Sequence, residues 1–310
     1  SFVTGQDGTG SPGWTLGPAP VLNTLTASVD DSQVVVDVTG TVEPGALEEA
    51  FGDVEAWLTD HGIDGSTEGL AFPDDDRLVI GILGGLLELD SEGGITEMAL
   101  TGEPIVHPLG MVGDGEGGLW VADSLGGALL HVNTGGLVTV AIDEAGGEPF
   151  GAPNGVGVDG EGVVYVTDPC RGLIVRHDAD AGGAGAMLTM DTSVDGGPNG
   201  LAFDADGVMW FLTENIDVVC VVDAAGLTEP VAGLFRVSLN ADGSAFGEVE
   251  LVERPGALFG DGLAFDVEGN VYAVWDTNTG LTLDESSIRV HPAEGHPNRG
   301  WLGRADRIYA

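Results

Sequence analysis

Pro198-Asn199-Gly200-Leu201-Ala202-Phe203-Asp204-Ala205-Asp206-Gly207-Val208-Met209-Trp210-Phe211-Leu212 is the stretch that decides the fold. A polar residue precedes a glycine, and an apolar, small, apolar triplet and an Asp follow. Asp206-Gly207 then leads into a second apolar run. Asp followed by Gly between two such runs signals a hairpin, because glycine accepts the positive φ of a tight turn. The same order returns as Glu68-Gly69-Leu70-Ala71-Phe72, Leu109-Gly110-Met111-Val112-Gly113-Asp114, Asn154-Gly155-Val156-Gly157-Val158-Asp159 and Asp261-Gly262-Leu263-Ala264-Phe265-Asp266.

The intervals between these glycines are 41, 45, 45 and 62 residues. Second strands are expected at 119–122, 163–167, 208–212 and 271–274, and third strands at 173–176 and 218–222. The longest interval leaves room for an insertion near 224–235. A period of about 45 residues with about four short strands is that of a β-propeller blade. A degenerate sixth copy begins at Arg299-Gly300-Trp301-Leu302-Gly303-Arg304 and ends with the chain. Segments 21–29 and 33–41 alternate like strands and would complete that last blade, leaving no open edge. The expected fold is all-β, a six-bladed β-propeller closed by N- and C-terminal strands in one blade. One accessory N-terminal helix is expected over 44–62, with Leu47, Phe51, Val54 and Leu58 on one face and Gly62 as its stop. Residues 1–20 read as a flexible segment and 21–310 as a single propeller domain.

Composition narrows the partners. The chain has 310 residues, with 51 Asp and Glu against 9 Lys and Arg, all nine being Arg, for a net charge of -42. Nucleic acid and anionic lipid need cations that are scarce here. The longest apolar stretch, 78–87, is far short of the roughly 20 residues that span a bilayer. Apolar residues make up 43%, enough for a core. The expected partner is a small molecule, bound by a monomer, with no nucleic acid and no membrane. The acidity itself has two readings, adaptation to high salt and the gathering of cations at a site. Cys170 and Cys220 are too few for a zinc site or a disulfide scaffold, and both a bridge and a buried thiol at Cys220 stay open. The Gly/Ser/Thr-rich opening fits a linker left after processing, hence a secreted or periplasmic protein, with the cytoplasm of a salt-adapted organism as the alternative.

The residue before each repeat glycine starts the innermost strand, so these residues should ring one mouth of the central channel. They are Glu68, Leu109, Asn154, Asn199, Asp261 and Arg299. Four offer oxygens, two of them carboxylates, which suits a hard dication: Ca²⁺ first, another divalent cation as an option. Asn, Asp and Glu are also common turn residues before glycine, which is the competing explanation. Other chemistries fit less well. Asp204 to Gly207 is no EF-hand, since Gly stands fourth and the twelfth position is Asn215. No Gly-x-Ser-x-Gly occurs. The histidines lack metal-ligand spacing, and only His107, two residues before Leu109, falls near the ring.

The chain resembles the senescence-marker-protein-30/gluconolactonase family from about residue 67 to 310. The likeness rests on Glu68-Gly69, on Pro153-Asn154-Gly155 followed by Val164-Tyr165-Val166-Thr167-Asp168, and on Pro198-Asn199-Gly200-Leu201-Ala202-Phe203-Asp204. Asp261-Gly262-Leu263-Ala264 followed by Gly269-Asn270-Val271-Tyr272 completes it. The resemblance implies a six-bladed propeller that hydrolyses lactones or related esters with a metal. By the same resemblance Glu68, Asn199 and Asp261 bind the metal directly, and Asn154 lies beside metal or substrate. Asp261 would also activate the attacking water. Arg299 is a candidate cation for an anionic substrate group. Two departures stand out. Ala152 occupies the place of an Arg that holds substrate in some sugar lactonases, and about 45 extra residues precede Glu68. Two alternatives remain, a non-catalytic NHL-like binding propeller and a lyase resembling the streptogramin lyases through residues 207–214.

Overall fold

The computed structural model describes residues 23–29, 32–38, 49–53, 68–74, 77–90, 94–178, 186–189, 194, 196–215, 220, 232–240, 246–266, 269–276, 287–291, 302–304 and 307–309. Among them the protein is all-β, and the sole helix is the three-residue 3-10 turn Pro169–Arg171. No helix among the described residues is long and apolar enough to cross a membrane.

In the second to fifth repeats the turn after the innermost strand is built by the Asp that ends the repeat motif. One oxygen of Asp159 accepts the N–H groups of Glu161 and Val163, and one of Asp204 accepts those of Asp206 and Val208. Asp114 does the same for Glu116 and Gly118. Gly162, Gly207 and Gly269 complete such turns at φ 83°, 76° and 82°, where a side chain would be strained. The second oxygen takes a side chain from the sheet: Tyr165 Oη, Trp210 Nε1, Tyr272 Oη or His131 Nε2. A residue type that sequence alone marks as a turn former thus also anchors the next strands.

Four sheets of four or more strands arise from these hairpins. The first contains Leu70–Asp74, Arg77–Ile82, Gly85–Asp90 and Ile95–Glu97, each antiparallel to the next. The second runs Pro108–Gly113, Leu119–Asp123, Ala128–Val132, Leu137–Ile142, with Thr101–Gly102 added in parallel at its edge. Val156–Val158, Val164–Asp168, Leu173–His177 and Ala186–Thr189 form the third. The fourth has eight strands and holds two repeats, one from Gly197–Phe203 to Phe246–Glu253 and one from Phe259–Phe265 to Leu302–Arg304. A single residue pair, Glu214 with Phe259, joins them into one sheet.

The arrangement is that of a propeller, but the expected six blades become four such sheets among the described residues. The last two repeats merge, and Leu302–Arg304, expected to open a sixth blade, pairs with Ser287–His291 as the outer strand of the fifth repeat. The helix expected over 44–62 is also corrected. Glu49–Asp53 is a strand, antiparallel to Arg307–Tyr309, and the rest of that span lies outside the described residues. Gly45 and Gly52 weaken a helix there by about 1 kcal/mol each, and pairing with the C-terminal strand prevails. The expected closure of one blade by strands from both ends is not what forms: this pair stands as a two-stranded sheet of its own. Asn23–Val29 and Ser32–Val38 are strands near the expected places but pair with each other. In the fourth repeat the strand that pairs with Met209–Glu214 in third place is Leu234–Leu239, and of the expected 218–222 only Cys220 is among the described residues.

The core lies between sheets. Val79 and Leu86 meet Met111 and Val121, and Leu129 meets Val156 and Val166. Tyr165 packs with Leu201 and Phe211, and Leu212 with Ala273 and Trp275. Each fully buried Val, Leu or Phe contributes about 1.5–3 kcal/mol, so every interface is a stability unit of its own. In the first sheet Leu70 is 50% exposed, although its counterparts Met111 and Leu201 are buried by the preceding sheet.

Cys170 and Cys220 form a disulfide that spans 50 residues and ties the third repeat to the stretch between Met209–Glu214 and Leu234–Leu239 of the fourth. This closes the alternative left open by sequence. Cys220 stands in a turn, outside any ladder. Loss of the bridge in a Cys170→Ser/Cys220→Ser variant should cost about 2–4 kcal/mol, read as a lower melting temperature that reductant does not change further.

Candidate active site

The repeat glycines fix the ring. A Cβ on Gly69 would overlap the carbonyl oxygen of Leu109, and one on Gly110 that of Asn154. Gly155 abuts the carbonyl of Asn199 in the same way, and Gly200 that of Asp261. Each glycine is therefore pressed by the ring residue of the next repeat, which orders Glu68, Leu109, Asn154, Asn199 and Asp261 around one mouth. The glycine is demanded by space, while the residue before it is free to carry chemistry. Gly200→Ala should cost about 1–3 kcal/mol by overpacking and should impair the site, with thermal melts and activity as the measurements. Arg299, the sixth expected member, lies outside the described residues.

Two buried carboxamides form the floor. Asn154 is held where its own N–H donates to the Thr167 carbonyl at 3.0 Å and the Gly155 N–H donates to Thr167 Oγ1 at 2.7 Å. Its side chain hydrogen-bonds Glu68, a neighbour two repeats away in sequence. Asn199 Nδ2 donates to Glu214 Oε2 at 2.9 Å. The bond places the amide nitrogen of Asn199 toward Glu214 and leaves its oxygen on the other side. Asn199 Oδ1 and Glu214 Oε1 are both buried without a hydrogen-bond partner. Such oxygens are costly to bury unless something satisfies them.

The electrostatics run the same way. Burial pushes the Glu68 carboxyl up to about 8, helped by Asp261 and Glu214 and opposed by the Asn154 bond. Glu68 does expose surface, as a group lining an open mouth would, while the protein around it is dense enough to disfavour its charge. Burial likewise raises Glu214 to about 8, opposed by the Asn199 bond and reinforced by Asp261. Three carboxylates thus repel one another across a short space. A cation among them would relieve both the repulsion and the unpaired oxygens.

Glu214 is the member that sequence reasoning missed. Strand register shows why. In the second and third repeats the second strand ends in Asp123 and Asp168, which point to backbone. Asp123 accepts the N–H groups of Val106 and His107, and Asp168 those of Gly151 and Ala152. In the fourth repeat that register position is Thr213, since Leu201 pairs with Phe211 as Val156 pairs with Val166. The carboxylate comes one residue later, on the other side of the strand. That one-residue displacement was the available signal.

Among the described residues, no group of three or more His, Cys, Asp or Glu side chains is close enough to hold a metal ion by itself. Any cation here would draw on the carboxamide oxygens and on water as well. His107 is half-buried, with its N–H donated to Asp123 and its carbonyl accepting from Ser124.

No family model matches the chain. No curated protein matches it either. Solved structures do. A gluconolactonase from Xanthomonas campestris is 19% identical with a TM-score of 0.54, covering 76% of this chain and 78% of its own. A streptogramin B lyase is 16% identical with a TM-score of 0.53, covering 77% of this chain and 68% of its own. The virginiamycin B lyase of Staphylococcus aureus, in a catalytically inactive form with quinupristin, is 13% identical with a TM-score of 0.51, covering 92% and 86%. At these identities the likeness is one of fold: a propeller similar to gluconolactonases and streptogramin lyases.

Proposed function

We propose that the protein is a divalent-cation-dependent hydrolase of a lactone or related carboxylic ester, acting at the ring of Glu68, Asn154, Asn199 and Asp261. The observation that carries this reading is the pair of buried, unpartnered oxygens, Asn199 Oδ1 and Glu214 Oε1, beside Glu68 and Asp261. The donors are all hard oxygens and carry excess negative charge, a set that fits Ca²⁺ better than a softer ion. Glu68, Asn199 and Asp261 would hold the ion, with Asn154 at its margin and beside the substrate.

An ion bound there polarises an ester carbonyl and eases deprotonation of a nearby water. The chain's own groups do the rest. Glu214 holds the Asn199 amide so that Oδ1 faces away from it, and acts as a positioning residue. Asn154 steadies Glu68. Asp261 accepts the proton of the water that attacks the carbonyl carbon. The acyl C–O bond then breaks, and the proton passes to the leaving alkoxide oxygen.

Lyase-type elimination is the competing reading. The product settles the two: hydrolysis leaves a hydroxyl where elimination leaves a carbon–carbon double bond. The Cys170–Cys220 bridge supports a secreted or periplasmic setting. A panel of lactones and aryl esters, assayed with added Ca²⁺ and again with chelator, tests the reading. Turnover that chelator removes is expected. A metal-loaded protein inert to the whole panel would contradict it.

A further inference from the structure

Carboxylates crowd this chain, yet the loops on the mouth side of its first two repeats carry none in 83–85, 104–109 and 124–127. What they expose is apolar: Leu83 at 52%, Val106 at 40% and Leu125 at 71%. Backbone hydrogen bonds tie the three loops together. The Gly84 N–H, next to Leu83, donates to the Val106 carbonyl at 2.9 Å. The Val106 and His107 N–H groups donate to Asp123 at 2.8 and 2.7 Å, and the Ser124 N–H, next to Leu125, donates to the His107 carbonyl at 2.9 Å. The Asp123 side chain is buried against these N–H groups and offers no oxygen at the surface.

The loops adjoin the ring directly. Gly81 abuts Pro108, and Gly69 abuts Leu109, which is the one apolar residue among the described ring positions. The mouth is therefore two-sided. Asn154, Asn199, Glu214 and Asp261 occupy the third to fifth repeats, while the first two present Leu83, Val106 and Leu125 around the buried Leu109.

We propose that this apolar side is a specificity wall, and that the substrate is an amphipathic lactone or ester with an alkyl tail lying along Leu83, Val106 and Leu125. The inference deepens the hydrolase reading and rests on it. A sugar lactone would place hydroxyls against Leu83, Val106 and Leu125, whose side chains offer them no hydrogen bond. An alkyl tail gains roughly fourfold in affinity for each methylene it buries. The neutral tail also avoids the repulsion that an anionic group would meet on so acidic a protein.

The test compares γ-butyrolactone with γ-dodecalactone on the full chain with Ca²⁺, reading kcat/KM by product formation and affinity by titration calorimetry. Wild type should favour γ-dodecalactone by about 100-fold or more. The ratio of the two kcat/KM values should fall at least about tenfold in Leu125→Asp and in Leu83→Asp, with Leu125→Ser in between. Preferential binding of γ-dodecalactone that these variants weaken, without turnover, would uphold the wall and remove the hydrolase reading. Turnover of both lactones with a ratio that the variants leave unchanged would overturn the wall and keep the hydrolase. A dimer in solution that Leu125→Asp splits would also overturn it, by making the patch an interface between copies.

Discussion

Asp261→Asn is expected to lower kcat by about 10²- to 10⁴-fold while the protein stays folded. The loss is that of a proton acceptor placed at the reacting water, and groups of this kind contribute on that order. Stability moves the other way. Asp261 raises both Glu68 and Glu214 by repulsion, so its neutral replacement relieves the site when no cation is present. Metal-free Asp261→Asn should therefore melt at or above the wild-type temperature above pH 8, with activity nearly gone. A residue serving only the fold would lose stability and activity together. Steady-state kinetics and paired melts separate the two.

The second large effect is a stability slope with pH. Glu214 keeps its proton in the folded protein up to about 8 but loses it near 4.5 once unfolded. Between those values the folded state binds more protons, so stability falls as pH rises through that window and levels off above about 8. One pKa unit is worth about 1.4 kcal/mol, which sets an upper bound near 5 kcal/mol for this group, buried as it is to 3% exposure. Glu68 shifts in the same direction and adds to the slope, discounted for its contact with solvent. Glu214→Gln should flatten the curve and stabilise the metal-free protein above pH 8. Ca²⁺ should stabilise wild type more at pH 8.5 than at pH 5, since protons and the cation compete for the same oxygens. Chemical denaturation across pH, with and without chelator, reads both effects. A slope unchanged in Glu214→Gln would mean that the carboxylate does not hold its proton.

The repeat was legible because its constraints are local and steric. Asp at the turn, glycine at the ring and alternation in the strands each reflect contacts made within one repeat or with the next. Four ring residues followed from that period alone. Glu214 did not, because its role depends on a one-residue displacement at a strand end that only register reveals. Blade count failed at the chain ends for a related reason. Leu302–Arg304 is a short strand, and nothing in its own residues names Ser287–His291 as its partner. Segment 44–62 carries a helical face in pattern, yet Glu49–Asp53 pairs with Arg307–Tyr309, a contact about 250 residues distant that no local rule reports. Cys220 sits in an apolar run that reads as a strand, but the residue itself stands in a turn and is bridged to Cys170, a pairing that the sequence leaves open.

The measurement that tests the central claim most directly is a crystal structure from Ca²⁺-containing solution, with anomalous scattering to identify the ion. The account predicts a cation at the mouth with oxygens of Glu68, Asn199 and Asp261 at about 2.3–2.6 Å and Glu214 still accepting the Asn199 amide. An ordered mouth whose Asn199 Oδ1 and Glu214 Oε1 meet only water would contradict it.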